Sequence, residues 1–309
     1  MSKYIFDPDY VVAPGATLKE SIDAKGISQT QLAQRTGLAE KTISQIVNGI
    51  APISYDTAGK LELVTGVPAK FWNRRELSYR EALSRRKELA ALAEKKAWLT
   101  EIPLDELIVR EFIEPSEDVG TLVHRALRFF GVGSVDAWHQ TLLAPSAHYR
   151  SNKAHSKYPG FVAAWLRMGE LQAEAIDCER FNGQEFRRLL RHEVRELTMR
   201  SAGVWRKRLP ELCAQAGVAV VLTREIPEAA VSGATRWLPK KERPLIQLSS
   251  EFKTDDQLWF SFYHEAGHVL LHGRRELYLD FDTHNETEEE REASAFAADL
   301  LIPPEYIGQ

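Results

Sequence analysis

His264-Glu265-Ala266-Gly267-His268 spells H-E-x-x-H. On a helix, residues four apart lie about 40° apart around the axis and about 6 Å along it. Both imidazoles therefore share one face and can grip a single zinc ion, with Glu265 placed as the general base of a metalloprotease. Zinc brings the pKa of a water it holds down to about 7. Glu265 would take that water's proton and return it to the leaving amine. Paired His and Glu can also be plain surface residues. The apolar flanks Trp259-Phe260 and Val269-Leu270-Leu271 and the small Ala266-Gly267 pair oppose that reading.

A catalytic zinc takes three protein ligands and keeps one position open. Glu292, 28 residues after His264, is the candidate third ligand, on a helix that is apolar on its Phe296 and Leu300 side. From the residues alone it is equally one more solvated charge in the run Glu286 to Glu292. His272 continues the series near the same face. It reads as a ligand, a partner of a ligand, a polariser of the scissile carbonyl, or a helix C-terminal cation favoured by the macrodipole. The longer metzincin pattern fails, because Leu271 stands where it needs Gly and Arg274 where it needs His.

These side chains need helices and strands to position them. Thr254-Asp255-Asp256-Gln257 reads as a capping box opening a helix from Asp255 to His272, stopped by Gly273. Thr287-Glu288-Glu289-Glu290 repeats the signal for a helix through Leu301, broken by Pro303 and Pro304. Short β-branched runs at Val218–Thr223 and Pro244–Ser250 predict strands, with Val231–Leu238 a weaker third. That third strand is expected to take an extended substrate by strand addition.

Residues 16–66 read as short helices punctuated by Gly26, Gly37, Gly49 and Gly66, with a capping box at Ser28-Gln29-Thr30-Gln31 and Ser54 capping a fourth helix. The helices at 28–36 and 39–48 have helix-turn-helix spacing. The second would present Glu40, Lys41, Thr42 and Gln45 to base edges in a major groove, while Gln29, Thr30 and Asn48 suit phosphates. An ordinary five-helix bundle with a solvated polar face is the plainer alternative. One long helix or two stacked ones follow from Pro68 to about Trp98. Residues 100–200 are mostly helical, with Pro145–Pro159 as a hinge and Gln184–Arg200 as a basic amphipathic helix.

At 309 residues, 44% hydrophobic and 27% charged, the chain is an ordinary globular one of more than one domain. Its net charge of -4 excludes a wholesale polyanion binder, yet residues 1–100 carry 15 Lys/Arg against 11 Asp/Glu. That surplus leaves room for a nucleic-acid contact at the N-terminal end. Cys178 and Cys213 lack metal spacing, and two buried thiols are expected. No apolar run approaches a spanning length and Met1–Tyr10 has no apolar signal core. A cytoplasmic protein without membrane contact is expected.

The run Gly233-Ala234-Thr235-Arg236-Trp237, Ile246-Gln247-Leu248-Ser249, Trp259-Phe260 and His264 to His272, closed by Glu292-Ala293-Ser294-Ala295-Phe296-Ala297-Ala298-Asp299-Leu300-Leu301-Ile302-Pro303, resembles the ImmA/IrrE metallopeptidases over roughly 201–309. The resemblance implies zinc, a third ligand from the Glu of the closing motif, here Glu292, and cleavage of regulatory proteins such as helix-turn-helix repressors. Members often continue past the Leu-Leu-x-Pro motif, so a piece that completes the site could lie beyond Gln309. Pro14-Gly15, Ser28-Gln29, Leu32-Ala33, Ile43-Ser44, Asn48-Gly49, Pro68 and Phe71-Trp72 look like HigA-type antitoxins of the XRE helix-turn-helix class, over roughly 12–80.

The expected architecture is multidomain and mainly α with a small α+β part. A lambda-repressor-like five-helix domain at 1–80 precedes a helical connector, sensor or dimerisation region at 81–200. A zincin-like domain with a small sheet follows at 201–309. The expected function is a transcriptional regulator, dimeric on double-stranded operator DNA, whose zinc endopeptidase cleaves a repressor, an antitoxin or a toxin. The alternatives are an antitoxin-like repressor with a sensory metal site, and a helix-turn-helix that docks protein instead of DNA.

Overall fold

The computed structural model describes residues 12–143, 158–229, 231–238, 242–249, 254–272, 277–281 and 287–301. Most of the expected hinge at Pro145–Pro159, and the helix breakers Gly273, Pro303 and Pro304, lie outside them. The chain divides into two compact units, Met1–Glu94 and Lys95–Gln309.

The first unit holds α1 (Pro14–Asp23), α2 (Gln29–Thr36), α3 (Glu40–Val47), α4 (Tyr55–Thr65) and α5 (Ala69–Ala93). The capping box forms as its residues predict. Ser28 Oγ accepts from the Gln31 N–H at 3.1 Å, and Gln31 Oε1 accepts from the Ser28 N–H at 2.9 Å. Gly37, at φ +69°, ends α2 in the left-handed region and sets the tight turn into α3. Leu18, Ile22, Leu32, Ile43, Ile46, Leu61 and Trp72 form the core. α1 meets α3 at Gly15, where a Cβ would fall 2.0 Å from the Ile46 carbonyl oxygen. α5 is one helix that runs through the expected boundary at residue 80, and Trp72 and Glu76 are its buried residues.

In the second unit a 3₁₀ turn, Lys96–Glu101, leads to α6 (Leu104–Val109), α7 (Val119–Phe130) and α8 (Val135–Trp138). Trp98, Phe130 and Trp138 pack edge to face there. α9 (Pro159–Glu174) follows, then α10 (Gly183–Leu189), a π-helical turn over Leu190–Val194, α11 (Arg195–Leu197) and α12 (Ala202–Gln215). The sheet contains β1 (Ala219–Thr223), β2 (Val231–Leu238), β3 (Arg243–Ser249) and β4 (Tyr278–Phe281), in the order β1-β3-β2-β4. β1 pairs parallel to β3, and β2 pairs antiparallel to both β3 and β4. α13 (Asp255–Leu271) precedes β4, and α14 (Glu288–Leu301) follows it.

Strand alternation sorts the two faces. Ala219, Val221 and Leu245 meet Ala173 of α9 on one face. There Arg243 donates to the carbonyls of Ala173 and Ile176, and Arg236 donates to the Leu166 carbonyl at 2.9 Å and pairs with Glu170. Val220, Ile246 and Leu248 turn to the other face, where α10, α12, α13 and α14 build the main core with Phe186, Trp205, Leu209, Phe262 and Ala297. The second half of the expected connector is thus part of the sheet domain, because its helices cover both sheet faces. β2 pairs with β3 from Gly233 to Leu238 and with β4 from Val231 to Thr235, so over the stretch paired on both sides it cannot add a substrate strand as expected. β4, a four-residue strand the composition did not signal, covers its edge from Val231 to Thr235.

Candidate functional site

α13 runs across the sheet over β2, with Leu258, Phe262, Tyr263, Ala266 and Val269 in the core. Tyr263 donates to the Leu190 carbonyl at 3.1 Å, at the π-helical turn. Two further contacts place α13. Thr235 on β2 donates through Oγ1 to the Glu265 carbonyl at 3.0 Å. Gly267 lets α14 come close, since a Cβ there would lie 3.1 Å from Ala293 Cα and 3.3 Å from Phe296 Cδ1. Ala293 and Ala297 are the buried stripe of α14. Glu290 lies one turn earlier on the same stripe.

His264 Nε2 and His268 Nε2 stand 3.0 Å apart. Glu290 Oε2 is 2.9 Å from His264 Nε2, and Glu290 Oε1 is 3.6 Å from His268 Nε2. These three residues are the group of potential metal ligands among the described residues, their donor atoms within 4.8 Å of one another. Two imidazole nitrogens and a carboxylate turned on one point crowd their lone pairs, and a divalent cation relieves that crowding. The donor set of two His and one carboxylate suits zinc with an open position. Burial opposes the charge on Glu290, yet the hydrogen bond to His264 and the neighbouring His268 imidazole hold its carboxyl at about 2. Burial also pushes the His268 pKa down, which keeps its lone pair available.

Glu290, not Glu292, is therefore the carboxylate the fold brings to the two histidines. Glu292 is two residues on, about 200° around the helix, and pairs with His272 Nε2 at 3.1 Å. The Thr-x-x-Glu signature masked Glu290. Thr287 Oγ1 does accept from the Glu290 N–H at 3.3 Å, but the Glu290 side chain goes to the imidazoles instead of back to the cap. His272 does not join the three-donor group; its Nδ1 lies 2.9 Å from His268 Nδ1. At α13's start, Thr254 is the N-cap without the expected side-chain bond.

Glu265 is fully buried beside the two imidazoles on α13. Its carboxylate lies against Gly233 of β2, where a Cβ would come within 2.6 Å of Glu265 Oε1. A glycine inside a strand marks such a close approach, and this was the signal available for Gly233. Tyr278 of β4 stacks on His268 with ring centroids 4.1 Å apart and planes 15° apart. Ser294 Oγ is 3.2 Å from His264 Nδ1. Neither Tyr278 nor Ser294 carried a sequence signal of its own.

In the first unit the residues expected at DNA are all accessible. Thr30, Glu40, Lys41 and Asn48 are exposed, and Gln29, Thr42 and Gln45 are half-buried. Asn48 donates to the Ser44 carbonyl at 2.8 Å at the end of α3. Cys213 is buried and Cys178 half-buried, with no disulfide between them. Among the described residues, no helix is long and apolar enough to cross a membrane.

The second unit thus presents the donor set of a metallopeptidase-type centre, and the first a helix-turn-helix. Comparison with family models agrees on both. Residues 18–72 match the helix-turn-helix family, and residues 213–308 match the IrrE N-terminal-like domain, a metallopeptidase-type family. The chain therefore joins a DNA-binding type of domain to a peptidase-family domain. No curated protein matches it. Among solved structures it is similar to an addiction module antidote protein of the HigA family from Coxiella burnetii. That match is 25% identical over 27% of this chain and 92% of the other, with a TM-score of 0.25.

Proposed function

We propose that this chain is a cytoplasmic transcriptional regulator with a zinc-dependent endopeptidase site formed by His264, His268, Glu290 and Glu265. The observation that carries the reading is the convergence of two imidazole nitrogens and the Glu290 carboxylate beside a buried Glu265. Zinc, when bound, polarises a peptide carbonyl and makes water a nucleophile at neutral pH. Glu265 takes the proton of the attacking water and delivers it to the departing amine. Its burial between α13 and β2 excludes bulk water from that exchange. α3 enters the major groove of a palindromic operator as part of a homodimer, with Glu40, Lys41, Thr42 and Gln45 on bases and Gln29, Thr30 and Asn48 on phosphates. The substrate is a regulatory protein, a repressor, an antitoxin or a toxin, whose removal changes transcription.

Cells carrying the wild-type chain or Glu265→Gln test this. One protein should persist only with the variant, while metal analysis finds one zinc per chain in both. A variant that still cleaves removes Glu265 as the base, and a wild-type chain that binds zinc without cleaving anything favours a sensory metal site.

A further inference from the structure

We infer that Glu292 and His272 form a positioning relay that fixes the tautomer of His268. The inference rests on the zinc reading, and its logic lies in proton counting. His268 Nε2 faces His264 Nε2 at 3.0 Å and Glu290, so it is the nitrogen turned to the metal. A neutral imidazole that gives up the Nε2 lone pair carries its proton on Nδ1. His268 Nδ1 lies 2.9 Å from His272 Nδ1, so His272 must accept there and hold its own proton on Nε2. That nitrogen lies 3.1 Å from Glu292 Oε2, and an ionised carboxylate only accepts.

With a metal on His268 Nε2, one arrangement remains: His268 donates through Nδ1 to His272, and His272 donates through Nε2 to Glu292. The reversed arrangement puts a proton on His268 Nε2, where it blocks the metal, and leaves Glu292 facing a lone pair. Glu292 thus selects the tautomer two steps away. The geometry is held from both ends. His272 is the first residue past α13, with extended backbone at φ -111° and ψ 166° and its N–H bonded to the His268 carbonyl at 3.2 Å, and its ring turns back along the helix. Tyr278 stacks on His268 and tilts over His272 at 5.4 Å. His264 Nδ1 lies 3.2 Å from the Ser294 hydroxyl, which can donate or accept.

Partners behind a metal ligand typically contribute 10–100-fold to metal affinity. The test is zinc affinity of the full chain by chelator competition, together with ¹⁵N spectra of its histidines in metal-free and zinc-loaded forms. His272→Phe keeps the ring volume but removes the acceptor, and should weaken zinc binding by about 10–100-fold. His272→Asn places Oδ1 where Nδ1 stood, and should stay close to wild type. Glu292→Leu should weaken binding, and so should Glu292→Gln, whose amide can donate as well as accept and so selects no tautomer; these exposed changes leave the fold intact. In the zinc-loaded form the ¹⁵N shifts should show His272 protonated on Nε2.

If Phe binds zinc as tightly as wild type and Asn does not, position 272 only fills space and the relay is wrong. A His272 protonated on Nδ1 overturns it equally. If wild type takes up no zinc, the zinc reading fails by itself; if it takes up zinc and His272 carries its proton on Nδ1, the relay fails while the zinc reading stands.

Discussion

A single methyl group at residue 233 should slow peptide hydrolysis while leaving the metal in place. In Gly233→Ala the new Cβ would stand 2.6 Å from Glu265 Oε1, against about 3.4 Å for ordinary contact, so the carboxylate must retreat by roughly 0.8 Å. The backbone has little room to yield instead, because Gly233 sits between Leu248 of β3 and Asp280 of β4 in the sheet. Glu265 is fully buried, so it must turn within packed core. Misplacing a reacting group by about 1 Å can cost 10²-fold, so kcat/KM should fall about 30- to 100-fold, or roughly 2–3 kcal/mol of transition-state stabilisation. The assay is cleavage of the protein that accumulates with Glu265→Gln, or of a quenched-fluorescent peptide library, beside zinc content and a thermal melt. The two changes should be non-additive, Gly233→Ala subtracting nothing further once Glu265 is Gln. A folded Gly233→Ala chain with zinc and unchanged kcat/KM would refute Glu265 as the base held at that spot.

Glu290→Ala should abolish tight zinc binding, whereas Glu292→Ala should weaken it only about tenfold; chelator competition separates them, and equal losses would return Glu292 to the ligand set. In the metal-free chain His268 is held below its ordinary 6.5 by burial and Glu290 below its ordinary 4.5. Both folded values lie under the unfolded ones, so the stability they contribute is present above those values. It fades as pH falls, first below about 6.5 and then from about 4.5 towards about 2. The melting temperature should drop between pH 7.5 and 4, and a rise would contradict the sign. Gly15→Ala should destabilise the first unit by about 1–3 kcal/mol or more, because its Cβ meets the Ile46 carbonyl. Operator retention should fall with it while zinc content stays, and a variant that melts like wild type would show that α1 can shift off α3.

What the sequence made legible followed from local rules with one outcome. Ser28-x-x-Gln31 has a single satisfying geometry, and the box forms. H-E-x-x-H on a helix must bring His264 and His268 together, and it does. The strand over Val231–Leu238 appears with those bounds, but its neighbours depend on β4, whose Tyr278–Phe281 run is too short to announce itself. Glu290 shows where local reasoning fails. A Glu three residues after Thr287 has a local partner in the cap, and a mainly acidic run hides which carboxylate differs. The choice is made by a tertiary contact. Gly267 admits Ala293 to close approach, that contact fixes the rotation of α14, and the rotation sends Glu290 inward and Glu292 to His272. Each glutamate then has a role that the other cannot take, since a carboxylate turned about 200° away on one helix cannot reach the same point.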